Sequence, residues 1–194
     1  MTPPAIRTTT AADADRATDT IVLAFAGDPM LRWCWSEPSR YLTAIRPFIR
    51  AFAGASFDHG SAWCSDDFVG AALWLPPGVG SDEDAMVGLL QATVPATQLD
   101  DVFGVVEQMG KYHPQEPHWY LPLIGVDPAF QNRGIGSALL ALALARCDAE
   151  GLPAYLESSN PRNIPLYQRH GFEILGTIQA GSSPVMYPML RTPR

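Results

Sequence analysis

The run Ile124-Gly125-Val126-Asp127-Pro128-Ala129-Phe130-Gln131-Asn132-Arg133-Gly134-Ile135-Gly136-Ser137 limits this chain most. His118 to Val126 is apolar and reads as a strand, and Ser137 to about Cys147 is rich in Ala and Leu and reads as a helix. Between them lies a loop whose glycines sit at the start of the helix. Such a junction builds an anion site, because glycines let backbone N–H groups approach closely and the helix N-terminus adds partial positive charge. Between Pro128 and Cys147 the only charged residues are Arg133 and Arg146, which favours a phosphate ligand.

The rest of the composition excludes several classes. A chain of 194 residues can bury one substantial core, and 47% hydrophobic with 17% charged residues is globular rather than disordered. With a net charge of −7 there is no basic footprint for a nucleic acid. Cys34, Cys64 and Cys147 form no close pair and have no zinc-ligand spacing, so a reducing compartment and no metal are expected. Met1 to Thr10 has no apolar core of the signal-peptide kind, and the longest apolar run, Ala138 to Ala145, falls far short of the ~20 residues of a membrane span. A cytoplasmic protein without a membrane partner is expected, and a homodimer is left open.

The elements follow in order. Ile6 to Thr10 predicts a first strand, and Thr10 to Asp13 a cap for a helix that ends near Gly27-Asp28-Pro29. Met30 to Trp35 reads as a buried hinge between helices, or as a place where Trp33 and Trp35 line a substrate pocket. A helix over Ser39 to Ala53 is interrupted by Pro47. Ser61 to Cys64 and Phe68 to Leu75 form a hairpin around Asp66-Asp67. Two helical stretches follow, one after Ser81-Asp82-Glu83-Asp84 and one over about Thr97 to Met109. Their acidic residues are either solvated faces or a rim that attracts a cation. After the glycine loop and its helix come a strand over Ala154 to Glu157 and a short helix over Arg162 to His170. Two final strands are expected over Phe172 to Ile178 and Val185 to Leu190. No repeat or linker divides residues 1–194, so a single domain is expected.

The glycine loop alone allows three tenants. A dinucleotide fold would use Gly134 and Gly136, with Glu157 on the ribose. However, Leu139 stands where G-x-G-x-x-G needs its third glycine, and the connection from Val126 is too long for that tight turn. A nucleoside-triphosphate loop lacks its Gly-Lys-Ser/Thr. The third tenant is coenzyme A, and here the resemblance is specific. Gln131-Asn132-Arg133-Gly134-Ile135-Gly136 resembles the Q/R-x-x-G-x-G/A loop of the GCN5-related N-acetyltransferase (GNAT) superfamily. Gly125-Val126-Asp127-Pro128 resembles the strand end before that loop. Asn160 through Leu166-Tyr167-Gln168-Arg169-His170-Gly171-Phe172 resembles the family's N…xLYxxxGF segment. The three occur in the family's order, and the stretch from His118 to Phe172 looks most like puromycin N-acetyltransferase and its relatives.

That resemblance implies an α/β fold: a mixed, splayed sheet flanked by helices, with a helical insertion between the third and fourth main strands. It implies acetyl-CoA as co-substrate and acetyl transfer to the primary amine of a small molecule, without an acyl-enzyme. A non-catalytic coenzyme-binding or regulatory module is the alternative. Ile124, Gly125 and Val126 would pair with the pantetheine arm, with a Val126 N–H facing the oxyanion and Gly125 loosening the strand to admit the coenzyme. Gln131, Asn132, Arg133, Gly134, Ile135, Gly136 and Ser137 would cradle the pyrophosphate, with Arg133 at its rim. Asn160 and Asn163 would contact the coenzyme or cap the helix. Tyr167 would be the acid for the thiolate. Glu157, sharing a strand face with Tyr155, is favoured as base over His118, although an imidazole titrates nearer neutrality. Cys147 reads as a small buried hydrophobe. The aromatic residues near Trp33 and the acidic stretch suggest a small hydrophobic cation as substrate.

Overall fold

The computed structural model describes residues 5–194, so the first four residues of the N-terminal stretch considered above lie outside it. In chain order the elements are β1 (Ile6–Thr8), α1 (Ala14–Ala24), α2 (Pro29–Cys34), α3 (Pro38–Ala53), α4 (Ala55–Asp58), β2 (Ala62–Ser65) and β3 (Gly70–Leu75). Then follow α5 (Glu83–Thr93), α6 (Leu99–Tyr112), β4 (Trp119–Val126), α7 (Ile135–Glu150), β5 (Ala154–Ser158), α8 (Ile164–Arg169), β6 (Glu173–Ile174) and β7 (Tyr187–Arg191). The strands make one mixed seven-stranded sheet in the order β1-β2-β3-β4-β5-β7-β6. Every pairing is antiparallel except β4 with β5. The helices α5 and α6 occupy the connection from β3 to β4.

Alternation along the strands places a core on each face of the sheet. Cys64, Ala71 and Leu73 pack with Ile21 of α1 and Ile45 and Ile49 of α3. Trp63, Ala72 and Trp74 pack on the other face with Leu139, Leu140 and Leu144 of α7. The alternation breaks once, in β4. Leu121 belongs to the α7 face and Leu123, two residues on, to the α1 face. The register with β3 shifts between Leu73 and Leu75, whose partners are Leu123 and Tyr120, so Leu121 and Pro122 together stand opposite Trp74. This is a β-bulge, and Pro122, which has no N–H for the ladder, sits in it. On its other side β4 pairs with β5 only at Trp119↔Ala154 and Tyr120↔Tyr155. Beyond the bulge the two parallel strands diverge.

Two expectations need correction. Met30 to Trp35 is not an irregular hinge but α2, because Asp28 Oδ1 accepts from the N–H groups of Met30 (3.0 Å) and Leu31 (3.1 Å), and Pro29 takes the first helical position. The strand expected over Phe172 to Ile178 shrinks to Glu173–Ile174, with a single bridge from Ile178 to Met186. The chain leaves the ladder at Gly176, where the Tyr112 hydroxyl occupies the space a Cβ would take. The short helix α4 stands where only a turn was expected, and the remaining elements match their predicted places within a few residues. Gly151, at φ 66°, ends α7, with Leu152 N–H donating to Cys147 O at 2.9 Å.

The far edge is fastened by one ion pair. Arg191 of β7, 4% exposed, donates through both terminal nitrogens to Asp148 of α7 at 2.8 Å each, and through Nε to His170 O at 2.9 Å. That bidentate contact ties the end of α7 to the last strand and to the end of α8.

Gly125 pairs with Ala71, and a Cβ on it would collide with Ala24 Cβ of α1. Its lack of a side chain therefore lets α1 lie close on β4. Replacing Gly125 by Val should lower stability by about 1–3 kcal/mol through overpacking. A denaturant midpoint equal to that of the parent chain would refute this packing role.

Candidate active site

Divergence of β4 from β5 leaves one edge of β4 without a strand. Asp127 N–H donates to Val69 O of the β3 side at 2.9 Å. Antiparallel ladders alternate, so Ile124 and Val126 turn their N–H groups to the opposite edge, into the gap. The Val126 carbonyl on that edge accepts from Gln131 Nε2 at 3.3 Å. A cavity of about 620 Å³ opens there, lined by Ile124 to Val126, the glycine loop, and the segment from Asn160 to Tyr167.

The loop is shaped for an anion. Asn132 (φ 62°) and Gly134 (φ 81°) both lie in the left-handed region, which turns the chain into α7. The first bond of the helix runs from Ala138 N–H to Gly134 O at 3.0 Å. The N–H groups of Ile135, Gly136 and Ser137 come before it and have no carbonyl one turn back. They line the cavity at the positive end of a 16-residue helix, which is a fit for a pyrophosphate. Gly136 keeps the approach open: a Cβ there would already touch Leu166 Cδ2 at 3.4 Å. Ser137 Oγ is engaged with His170 Nε2 at 2.7 Å, which leaves its backbone N–H as the ligand-facing group.

Of the residues that the resemblance assigned to the coenzyme, all lie on this cavity except Arg133, and Tyr167 lies on it too. Arg133 stacks over Phe130, 4.9 Å from the ring centroid, and donates to Ala129 O at 3.3 Å. Positive charge on the cavity comes instead from Arg162 and Arg169 of the following segment, which the loop motif did not point to. Asn160 Oδ1 accepts from Arg162 N–H at 3.1 Å and so caps the turn Pro161–Asn163, leaving its amide nitrogen for the cavity. Asn163 lines the cavity without capping its helix.

A second cavity, also about 620 Å³, lies on the α1 face and meets the first at Phe25 and Asp28. Its walls are apolar and aromatic, and both Trp33 and Trp35 are on them. Glu157 reaches this cavity from β5. Tyr120 Oη donates to Glu157 Oε2 at 2.8 Å, while Oε1 is buried without a hydrogen-bond partner. Burial pushes the carboxyl up to about 7, against the opposing effect of the Tyr120 hydrogen bond. A carboxylate poised near neutrality, with one oxygen held and one free, suits a general base.

Tyr167 faces the first cavity. Its ring is 6% exposed and packs edge-on against Phe172, with centroids 6.0 Å apart. Among the described residues no side chain or carbonyl accepts its hydroxyl proton. Burial, and then the charge of nearby Asp28, raises its pKa, so the phenol stays protonated at neutral pH. Asp28 is the residue the sequence reading used only as a helix end. It touches both cavities, caps α2, and accepts from Ser159 Oγ at 2.5 Å. Burial raises its pKa too.

His118, the alternative base, is off both cavities. Its Nδ1 is 2.8 Å from Glu116 O and therefore carries a proton; in the neutral pair its Nε2 accepts from His113 Nε2 at 3.0 Å. His113 lines the second cavity, and burial, then the neighbouring His118, lowers its pKa to about 4. All three cysteines are buried, and burial lifts Cys147 to about 12, consistent with a packing role. Among the described residues no helix is long and apolar enough to cross a membrane.

The Glu157 carboxyl links stability to pH. Its folded-state pKa of about 7 exceeds its ordinary 4.5, so the parent chain loses stability as pH rises from 4.5 to 7. A Glu157→Gln chain should match the parent at pH 4 and exceed it at pH 8 by a few kcal/mol, on the order of 3. Melting curves across that range test this, and equal curves at pH 8 would rule out the raised pKa.

Comparisons with known proteins agree with this geometry. The sequence profile of the acetyltransferase (GNAT) family matches residues 29–172. An uncharacterized N-acetyltransferase of Schizosaccharomyces pombe is 27% identical over 178 residues, covering 84% of this chain and 71% of that protein. A Corynebacterium glutamicum structure, described as histone acetyltransferase HPA2 and related acetyltransferase, is 27% identical. It superposes with a TM-score of 0.72 over 99% of this chain and 97% of that one. Arylalkylamine N-acetyltransferase 2 of Aedes aegypti shares the fold at 12% identity, with a TM-score of 0.67 over 98% and 99% of the two chains. The enzymes of this family use acetyl-CoA. With the match spanning most of its length, this chain belongs to the acetyltransferase (GNAT) family and is an acyl-CoA-dependent acetyltransferase.

Proposed function

We propose that the protein transfers the acetyl group of acetyl-CoA directly to the primary amine of a small molecule. The observation that carries this reading is the meeting of two cavities at Asp28 and Phe25. On one side are the free phenol of Tyr167 and the helix-start N–H groups; on the other is the half-held carboxylate of Glu157. Bound acetyl-CoA supplies the acyl carbon and a thiolate leaving group. The N–H groups of Ile135, Gly136 and Ser137, with Arg162 and Arg169, would hold its phosphates. The free edge of β4 would pair with its amide-bearing arm, and Val126 N–H would stabilise charge on the carbonyl oxygen.

Glu157 Oε1 would take the proton that the ammonium must lose before nitrogen can attack. As the new C–N bond forms and the C–S bond breaks, the Tyr167 hydroxyl would give its proton to sulfur, and the second proton that nitrogen loses on becoming an amide would return, through water, to the Tyr167 oxygen. Burial serves both groups: it keeps the phenol protonated and makes the carboxylate basic enough to accept a proton near neutrality. The resemblance to puromycin-type enzymes and the arylalkylamine enzyme's fold put aminonucleosides and aromatic amines first among candidate acceptors.

Calorimetric titration with coenzyme A should show binding, and its absence at millimolar concentration would refute the proposal. Arg162→Ala should weaken that binding in a salt-dependent way, while Arg133→Ala should not. An amine panel read by thiol release should reveal an acceptor. With it, Tyr167→Phe should lower kcat about 100-fold with little change in coenzyme affinity. Glu157→Gln should remove the acidic limb, near pH 7, of the pH–rate profile. Unchanged turnover in either variant would remove that residue from the chemistry.

A further inference from the structure

The loop from α6 to β4 brings two imidazoles together. His113 follows the last residue of α6, and its N–H donates to Met109 O at 2.9 Å. His118 directly precedes Trp119, the first residue of β4. Pro114 and Pro117 stiffen the short connection between them. The His113 ring packs edge-on against Tyr120 and Tyr155, with centroids 4.8 and 5.1 Å away. Each imidazole is therefore held by an element of the fold and not by the other ring alone. Both are half-buried.

The two Nε2 atoms are 3.0 Å apart and the ring centroids 4.7 Å. A straight N–H···N bond of that length would set the centroids about 5.2 Å apart, since each nitrogen stands about 1.1 Å from its ring centre. The contact is bent. Two imidazoles at neighbouring corners of a square-planar cation, with bonds of about 2.05 Å and an angle of about 95°, would have nitrogens about 3.0 Å and centroids about 4.7 Å apart. A tetrahedral cation would spread them to about 3.3 and 5.2 Å. Both measured distances are those of the square-planar pair.

Tautomer and charge suit a metal as well. His118 Nδ1 donates to Glu116 O at 2.8 Å, which leaves the lone pair on Nε2, and metal-bound histidines fix their outer nitrogen in this way. His113 is uncharged at neutral pH, because burial, then the neighbouring His118, lowers its pKa to about 4. Moving its proton from Nε2 to Nδ1 frees the second lone pair with no net release of protons. Among the described residues no third His, Cys, Asp or Glu completes a group, so the remaining positions belong to water.

We infer that His113 Nε2 and His118 Nε2 together bind one divalent cation of square-planar preference, Cu²⁺ before Ni²⁺ and both before Zn²⁺. His113 also lines the α1-face cavity, so the ion adds positive charge to that wall. The site does not depend on what the cavity binds or on any transfer reaction.

Metal titration of the full chain, prepared without a histidine tag, tests this. Calorimetry with Cu²⁺ should give one site per chain, about tenfold or more tighter than the site for Zn²⁺. The paramagnetic resonance spectrum of the copper should show coupling to a pair of nitrogens. His113→Ala and His118→Ala should each weaken binding about 100-fold and leave a single coupled nitrogen, because one imidazole lacks the effective concentration of the other. His59→Ala, which removes an exposed imidazole at the end of α4, should change neither reading. Circular dichroism matching the parent's shows that a variant has folded, and the parent's own copper spectrum decides the matter without any variant. No copper site in the parent, a spectrum without the nitrogen pair, or a site retained in both variants or lost with His59 overturns the inference. Zinc bound as tightly as copper overturns its square-planar part.

Discussion

Pro122 sits in the one bulge between β3 and β4, and that extra residue sets the register of every later residue of β4. The bulge at Leu121–Pro122 sends Leu121 to one face of the sheet and Leu123 to the other. It lies just past the last pairing with β5, Tyr120↔Tyr155. Parallel strands that part at this point leave the Ile124–Val126 edge without a strand partner, open to the cavity. Without that parting, β4 would pair with β5 along its length, and the coenzyme-side cavity would be closed by ordinary hydrogen bonds. The rest of the site is arranged around the gap: α7 brings its N-terminus to one rim and α8 brings Tyr167 to the other.

Rigid packing on both faces keeps the gap open. Gly125 lets α1 seat closely on β4, and Gly70 does the same for α7 on β3, where a Cβ would lie 2.5 Å from Ile135 Cγ2. The buried Arg191–Asp148 pair holds the far end of α7 to β7. These contacts hold the helix whose N-terminus faces the gap, so the anion site is preorganised rather than assembled on binding. Asp28 joins the two halves. One carboxylate caps α2, receives Ser159 from the β5 side, and acts on the phenol of Tyr167 through space.

Burial is the first cause of the raised pKa at both Glu157 and Tyr167, and at Tyr167 the charge of Asp28 adds to it. Glu157 becomes basic because its carboxylate is removed from water, and Tyr167 remains protonated for the same reason. In the proposed reaction one physical effect, acting on groups of different ordinary pKa, serves two opposite tasks from two cavities that touch.

The chain itself determined the elements and the kind of ligand. The glycine loop, the Asn160–Phe172 segment and the Ala/Leu-rich helix are local patterns, and local backbone chemistry is enough to turn Gln131–Gly136 into the start of α7. Tyr167 and Glu157 were singled out in the same way, from a motif position and from strand parity, and their roles belong to the proposed reaction. What lay beyond the sequence were the pairings among distant residues. Arg162 and Arg169, rather than Arg133, reach the coenzyme-side cavity because α8 folds back across it, while Arg133 finds Phe130 as a neighbour. Asp28 read only as the end of a helix, and His113 carried no local signal; only the tertiary structure brings them onto the cavities. The same holds for the second wall, where Trp35, Phe48, Phe52 and Tyr120 come from three segments and meet only after α3 packs on the sheet. Periodicity tells which face of its own element a residue occupies, but the neighbours across a cavity are set by how whole elements pack.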